Sequence, residues 1–106
     1  MKSNDYGEKL DKNGYAPSIA GESGRCVFCG RTDRPLQRHE PLHGPNRTAS
    51  KKLGCWVQIC DLCHTRLHQR DAALDMVLKQ KMQALAMEHY DWTVDEFRRM
   101  FGKSYL

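Results

Sequence analysis

The sequence lacks any long apolar segment. No run among the 106 residues approaches the roughly 20 consecutive apolar residues that a transmembrane helix requires. The first residues also lack the apolar stretch of a secretory signal. We therefore expect no membrane association and a location in the cytoplasm, where thiols stay reduced. The length fits one small domain and excludes a second independent one.

The chain is also short of hydrophobic residues, which make up 40% of it and fall slightly below the usual share of a globular domain. Residues 1–24 are rich in glycine, serine, asparagine and charged side chains and show no hydrophobic period. Such a segment buries too little apolar surface to offset its ordering entropy. We expect residues 1–24 to form a flexible tail outside the core.

Positive charge is present, and it is concentrated in one stretch. Residues 25–70 carry nine Lys or Arg against three acidic residues, whereas the segments before and after each have a net charge of −1. The same stretch holds all five cysteines and four of the five histidines. A basic block is sometimes only a solvated face. Its overlap with metal-binding residue types favours a polyanionic partner, above all nucleic acid.

The pattern of residues 25–70 predicts two short strands and a helix. The strands are expected over residues 35–39 and 55–59, with a loop over 41–54 between them. The chain then turns at residues 60–63 into a helix that carries His64 and His68. Strand, strand and helix in this order predict a small α+β unit.

The pattern of residues 71–106 predicts a helical extension. Helical spacing from about Arg70 defines one apolar face with these members: Leu74, Val77, Leu78, Met82, Leu85 and Met87. Asp91 and Trp92 break this helix. A capping box over residues 93–96 then opens a shorter helix, and Gly102 is placed to end it.

Two Cys-x-x-Cys pairs predict a structural zinc site. Cys26 and Cys29 form the first pair, Cys60 and Cys63 the second, and 30 residues separate the pairs. Four thiolates make the tetrahedral set that Zn²⁺ prefers. Metal binding adds folding free energy, which a small core needs. We interpret Cys55, on the second strand, as a buried bystander.

Histidines suggest a second site. His64 and His68 are four residues apart, so on a helix both imidazoles face one divalent ion. His39 lies at the end of the first predicted strand, and Asn46 lies in the following loop. A base and a cation are the parts that phosphodiester hydrolysis requires. Two unrelated surface histidines, or one histidine that completes the zinc site, are the alternative interpretations.

The chain resembles the HNH endonucleases, the ββα-metal or His-Me finger nucleases, in four motifs: Cys26-x-x-Cys29, Arg38-His39-Glu40, Asn46-Arg47 and Cys60-x-x-Cys63-His64-x-x-x-His68. The likeness covers about residues 25–70. It is greatest to the small, often phage-encoded members with zinc knuckles, and the closing residues 97–106 are also similar to short phage proteins of this kind. The resemblance implies a zinc-stapled α+β fold, with a ββα-metal finger over 25–70 and a helical extension over 71–106.

The resemblance also implies roles. His39 would activate water, Asn46 would hold the loop and that histidine in place, and His64 and His68 would bind a catalytic divalent metal such as Mg²⁺ or Mn²⁺. In many members the residue before the catalytic histidine is a metal ligand, but here it is Arg38, which cannot ligate. A second register therefore stays open, with His39 as ligand and Glu40 as base. We favour the first, because histidine titrates near neutral pH without special tuning. In that register Glu40 is a further possible metal ligand.

The expected function is metal-dependent cleavage of DNA. Candidate phosphate contacts are four cations of the basic stretch: Arg47, Lys51, Lys52 and Arg66. A phage origin would place the protein in the cytoplasm of the bacterial host and suggests packaging or recombination proteins as partners. The alternative is a non-catalytic zinc module that binds nucleic acid or a phage protein. A thiol redox protein is the third interpretation, and it is weakened because both Cys-x-x-Cys pairs belong to one tetrahedral set.

Overall fold

The computed structural model of the chain describes residues 2–43 and 46–106. Within these ranges it forms a small α+β domain with one two-stranded antiparallel sheet and four helices. In chain order the elements are β1 (Leu36–His39), α1 (Arg47–Lys52), β2 (Val57–Cys60), α2 (Asp61–His68), α3 (Ala72–Tyr90) and α4 (Val94–Phe101). The predicted α+β class is confirmed.

The two strands bring the cysteine and histidine motifs together. β1 pairs with β2 in a register that places Leu36 opposite Cys60 and His39 opposite Val57. β2 lies one to two residues further along the chain than predicted, and it runs directly into α2. The Sγ atom of Cys60 accepts a hydrogen bond from the backbone N–H of Cys63 and thereby caps the helix. The strand and the helix therefore meet at a cysteine pair.

The prediction of a loop over 41–54 is wrong for residues 47–52, which form α1. This stretch contains no proline or glycine, and its helix is held by contacts elsewhere in the fold. Ser50 is fully buried and donates a hydrogen bond from its hydroxyl to the Leu42 carbonyl. A helix of six residues is marginal by itself and depends on such packing, which the local sequence does not show. The loop prediction for residues 44 and 45 lies outside the described residues.

The long helices follow their sequence signals. Asp71 caps α3 by accepting from the Leu74 N–H, and Thr93 and Glu96 form the predicted capping box of α4. Gly102 ends α4 at a φ of 87°, a left-handed conformation that glycine adopts without strain. Val77 is the exception, because it is 47% exposed rather than buried. The buried stripe of α3 advances by four residues at each step, from Leu74 to Ala86, and Val77 falls beside it.

Residues 2–24 lie against the domain, and the prediction that this segment stays outside the core is wrong for Ala16, which is 1% exposed. The Ala16 N–H donates to the Lys51 carbonyl, and the Trp56 indole donates to the Ala16 carbonyl at 2.8 Å. The Ile19 N–H donates to the carbonyl of Gly54. Backbone hydrogen bonds therefore hold a segment whose own apolar content is low.

Among the residues that the structure describes, the core consists of two buried clusters that α3 connects. One joins the start of β2 to α3 and α4: Leu42, Leu53, Cys55, Val57, Met82, Ala86, Phe97 and Phe101. The other surrounds the cysteine pairs: Cys26, Ile59, Cys60, Cys63, Leu74 and Leu78. The first half of α3 therefore packs beside the cysteines. None of the described helices is long and apolar enough to cross a membrane.

Candidate metal centre and histidine site

The four predicted cysteines form one cluster. The Sγ atoms of Cys26, Cys29, Cys60 and Cys63 all lie within 4.8 Å of one another. Those of Cys29 and Cys60 are 3.7 Å apart. Zn–S bonds of about 2.3 Å to a tetrahedral ion place the sulfurs about 3.8 Å apart. The cluster therefore has the dimensions of a tetrahedral metal site such as a zinc site. Among the described residues, it is the only set of three or more metal-ligating side chains whose ligand atoms lie this close together.

Backbone amides support the thiolate form of Cys26. Burial opposes ionisation of Cys26, but backbone hydrogen bonds at Cys29, Cys60 and Phe28 lower the pKa of its thiol to about 6. The turn after Cys26 is closed by the Gly30 N–H, which donates to the Cys26 carbonyl. A thiolate is the form that binds metal. The local backbone therefore prepares Cys26 as a ligand.

Cys55 lies outside the cluster, as predicted. It is fully buried, and the hydrogen-bond partner of its Sγ among the described residues is the Leu53 carbonyl oxygen, at 3.9 Å. Burial raises the pKa of its thiol to about 12. A thiol that stays protonated is neither a metal ligand nor a nucleophile at neutral pH.

A row of three histidine rings runs from β1 to α2. The ring centroids of His39 and His64 are 5.7 Å apart, and those of His64 and His68 are 4.5 Å apart. Gln37 shares a strand face with His39, because alternate residues point the same way, and its Oε1 is hydrogen-bonded to Nδ1 of His64. β1 and α2 thus bring the three predicted histidines together. Sequence reasoning missed Gln37, which no motif marks.

His39 is the most buried member of this row. Its Nε2 is buried and has no hydrogen-bond partner in residues 2–43 and 46–106. Burial, followed by the positive charges of His64 and His43, lowers the pKa of His39 to about 4. Its imidazole is therefore neutral at physiological pH. Burial and then the charge of His68 also lower the pKa of His64.

Glu40 and Arg38 are held by the N-terminal segment. Oε1 of Glu40 accepts hydrogen bonds from the Tyr15 hydroxyl at 2.9 Å and from Nε of Arg47 at 3.3 Å. The Arg38 guanidinium lies 4.2 Å from the centre of the Tyr15 ring and forms an ion pair with Asp11. These contacts join the segment 2–24 to Arg38 in β1 and to Glu40, which follows β1. The sequence carries no signal for them, because the partners are some 25 residues apart.

Asn46 begins α1 and contacts the C-terminal extension. Its Nδ2 donates to the Phe101 carbonyl at 2.9 Å, at the end of α4. The resemblance assigned Asn46 to the loop and to His39. This hydrogen bond joins it to a residue 55 positions later and ties the start of α1 to α4. The role of Asn46 toward His39 stays a prediction.

The four candidate phosphate contacts lie on two helices. Arg47, Lys51 and Lys52 belong to α1, and Arg66 belongs to α2. Arg47 is paired with Glu40, and the Lys51 ammonium lies 4.9 Å from the centre of the Tyr15 ring. Arg66 pairs with Asp71 and stacks over Phe28. The three on α1 make up the larger group.

No family model matches the chain, and no curated protein or solved structure matches it.

Proposed function

We propose that the protein is a metal-dependent DNA endonuclease of the HNH type, in which β1, β2 and α2 form a ββα-metal finger. The single observation that carries this proposal is the histidine row. A neutral, half-buried His39 at the end of β1 faces two histidines that α2 presents one turn apart. This arrangement combines a proton acceptor with a pair of metal-ligating side chains.

His39 is the general base of the proposed reaction. A base must be unprotonated when water attacks the phosphorus atom, and burial of His39 favours that form. Because Nε2 is buried, Nδ1 is the ring nitrogen left to accept the proton from water. The attacking water then forms a bond to phosphorus as the bond to the leaving oxygen breaks.

His64 and His68 would hold the catalytic divalent metal. Their donor set fits such an ion, because both side chains lie on one face of α2 and burial favours the neutral form of His64. When bound, the ion would neutralise charge on the phosphate and the leaving oxygen. The Gln37 hydrogen bond fixes the His64 ring, as a group behind a metal-ligating histidine commonly does.

The four cysteines would bind a structural zinc ion. They join the turn at residues 26–29 to the junction of β2 and α2, which carries the two helix histidines. Zinc at this junction would hold β1, β2 and α2 together. The proposed roles are therefore distinct: zinc supports the fold, and the histidines serve the reaction.

The contacts of Glu40 favour His39 over Glu40 as base. Its carboxylate is 11% exposed and is engaged by Tyr15 and Arg47. Oε1 of this carboxylate already accepts from two donors, so it is less available to a water molecule. Glu40 acts in this proposal as a structural anchor between β1, α1 and the N-terminal segment.

A panel of variants tests the division of roles. His39→Ala should reduce plasmid cleavage by about 10²–10⁴-fold and leave zinc content and DNA binding unchanged. His64→Ala or His68→Ala should weaken the catalytic metal, so added Mn²⁺ should partly restore their cleavage. Glu40→Gln should leave the rate of plasmid cleavage nearly unchanged.

The panel also separates the rival interpretations. If Glu40→Gln abolishes cleavage while Mn²⁺ restores the His39→Ala variant, then Glu40 is the base and His39 a ligand. If the zinc-loaded wild type binds DNA and cleaves none with any divalent metal, the protein is a non-catalytic zinc module. The observations that favour a non-catalytic zinc module are the contacts of Glu40 and Asn46 with distant parts of the chain.

A further inference from the structure

An open cavity of about 470 Å³ lies where the N-terminal segment meets α1 and α4. Residues 3–6 form one wall, Thr48 and Lys52 of α1 form another, and Met100 of α4 borders the cavity as well. Its volume falls in the range of pockets that bind small molecules. No histidine of the row lines it, so it is a site separate from the proposed reaction centre.

Tyr6 presents an open aromatic ring to this cavity. The residue is 48% exposed, although its ring packs against that of Tyr90 with centroids 4.5 Å apart. Its hydroxyl accepts a hydrogen bond from Nε1 of Trp92 at 3.1 Å, and its backbone N–H donates to Oδ1 of Asn4 at 2.9 Å. The ring is therefore held by contacts on one side and open on the other. Such a ring is a platform on which a nucleic-acid base can stack.

Lys52 brings a positive charge to the same cavity. Its side chain is exposed and forms no ion pair in residues 2–43 and 46–106, whereas Arg47 and Arg66 are paired with carboxylates. Thr48 precedes it by one helical turn, so the two side chains share the face of α1 that lines the cavity. Of the candidate phosphate contacts, Lys52 is therefore one whose charge is available to a ligand.

The mixed lining favours a nucleotide over a simple anion. Asp5 contributes a carboxylate to the wall that carries Tyr6, and its charge would repel a bare inorganic anion beside Lys52. A nucleotide offers a phosphate to the ammonium, a flat base to the ring, and amino or hydroxyl donors to the carboxylate. In a duplex, neighbouring bases cover both faces of each base. Only an unpaired nucleotide can therefore stack on Tyr6.

We propose that this cavity binds an unpaired nucleotide of a DNA strand, with the base stacked on Tyr6 and the phosphate at Lys52. The inference goes beyond the proposed function, because it involves none of the histidines and requires no cleavage. It gives the N-terminal segment a part in DNA binding, since this segment carries the stacking ring.

Fluorescence anisotropy with a labelled oligothymidine tests the inference, using the zinc-loaded full chain without added Mg²⁺ or Mn²⁺. Tyr6→Leu removes the stacking ring and should weaken binding of this single strand by about 5- to 100-fold. Binding of a duplex of the same length should not change. Tyr6→Phe keeps the ring and should bind both forms of DNA as the wild type does.

The duplex and the phenylalanine variant separate stacking from a structural effect. If Tyr6→Leu weakens binding of single strand and duplex equally, or if Tyr6→Phe weakens single-strand binding as much as Tyr6→Leu does, the ring acts through the fold and the inference is overturned. It is also overturned if Tyr6→Leu binds the single strand like the wild type, or if the wild type does not bind it.

Lys52→Met tests the phosphate contact. For the single strand, it should reduce the slope of log affinity against log salt by about 0.7, the value for one neutralised phosphate. Lys81→Met, which removes an exposed lysine of α3, is the matched control and should leave the slope unchanged. An unchanged slope in Lys52→Met would overturn the inference.

Thymidine 5′-monophosphate distinguishes a nucleotide within a strand from a free one. It should displace the labelled strand only at far higher concentration than the unlabelled strand does, because it offers one phosphate to one contact. Displacement by the monophosphate at the same concentration would assign the cavity to a free nucleotide and overturn the inference.

The two proposals fail in different ways. Loss of single-strand binding alone in Tyr6→Leu, with no cleavage by the wild type, would keep the nucleotide site and reject the nuclease. Plasmid cleavage by the wild type, with unchanged single-strand binding in Tyr6→Leu, would keep the nuclease and reject the nucleotide site.

Discussion

The five cysteines lie in two different environments: four belong to the sulfur cluster, and Cys55 is buried in the apolar core. Cys60 lies within 4.8 Å of three other sulfurs, whereas Cys55 is buried among apolar side chains five residues earlier. In the first setting a bound metal would contribute folding free energy, and in the second the thiol only fills space. The two residues should therefore respond very differently to the same substitution.

We predict that Cys60→Ser loses the metal and unfolds the domain, while Cys55→Ser stays folded and keeps it. Structural zinc binding is worth about 10–16 kcal/mol in zinc-finger peptides, which is as large as the whole stability of a typical domain, about 5–15 kcal/mol. A buried hydroxyl in place of the Cys55 thiol should cost about 1–3 kcal/mol. Metal analysis and thermal unfolding measure both effects. A wild type that is well folded without zinc would contradict the prediction.

At this scale the sequence predicts well which cysteines and which histidines lie together, and it predicts the distant contacts of other side chains poorly. Spacing alone identifies the four cysteines and the pair His64 and His68, because two Cys-x-x-Cys turns and an i, i+4 pair are local patterns. The partners of Glu40 and Asn46 are Tyr15 and Phe101, which lie 25 and 55 residues away. No local pattern encodes such contacts, since they follow from the packing of whole elements.

Among the elements, the N-terminal segment differs most from its prediction. Glu8 joins the start of this segment to the end of α3. Its Oε1 accepts a hydrogen bond from the Tyr90 hydroxyl at 2.6 Å, and its Oε2 lies 3.2 Å from Nε2 of His89. Tyr6 packs on the Tyr90 ring with centroids 4.5 Å apart. A composition poor in apolar residues does not reveal such polar contacts. α3 and α4 were predictable because their caps and periodicity are local.

The contacts of Glu8 predict a pH-dependent stability. Burial raises the pKa of Glu8, but hydrogen bonds from Tyr90, Asn4 and His89 outweigh it and lower the pKa below its usual value. The carboxylate therefore stabilises the fold above its unfolded pKa, and this contribution is lost as the pH falls through the folded pKa.

We expect Glu8→Gln to lower the free energy of unfolding at pH 7 by about 1 kcal/mol, the usual loss for one hydrogen bond. The difference from the wild type should be smaller at pH 3 than at pH 7, because the wild-type carboxyl also loses its charge as the pH falls through its folded pKa. Urea unfolding at the two pH values measures it, and Glu22→Gln, an exposed residue of the same segment, is the control. An equal difference at both pH values would show that Glu8 acts through its shape rather than its charge.

At the scale of the whole molecule, the distribution of charge determines which surface would bind DNA. The chain carries a net charge of +4, and three of the four candidate phosphate contacts lie on α1. Binding that neutralises phosphates releases counterions, so affinity should fall steeply with salt. The sequence predicted the basic stretch, whereas its division between α1 and α2 follows from the fold.

We predict that replacing Arg47 and Lys52 with alanine reduces the slope of log affinity against log salt by about one for each phosphate that the protein no longer neutralises. Arg98→Ala is the matched control, because Arg98 on α4 is also exposed and paired with an acidic residue. Fluorescence anisotropy with a labelled duplex at several salt concentrations measures the slopes. A wild-type slope near zero would indicate a protein partner instead of DNA.

Nicking of supercoiled plasmid by the zinc-loaded protein tests the central claim most directly. We predict nicked or linear product with Mg²⁺ or Mn²⁺ and none with a chelator. Cleavage should be lost in His39→Ala and retained in His89→Ala, which removes an exposed histidine at the end of α3. Equal cleavage by His39→Ala and the wild type, or none by the wild type with either metal, would contradict the account.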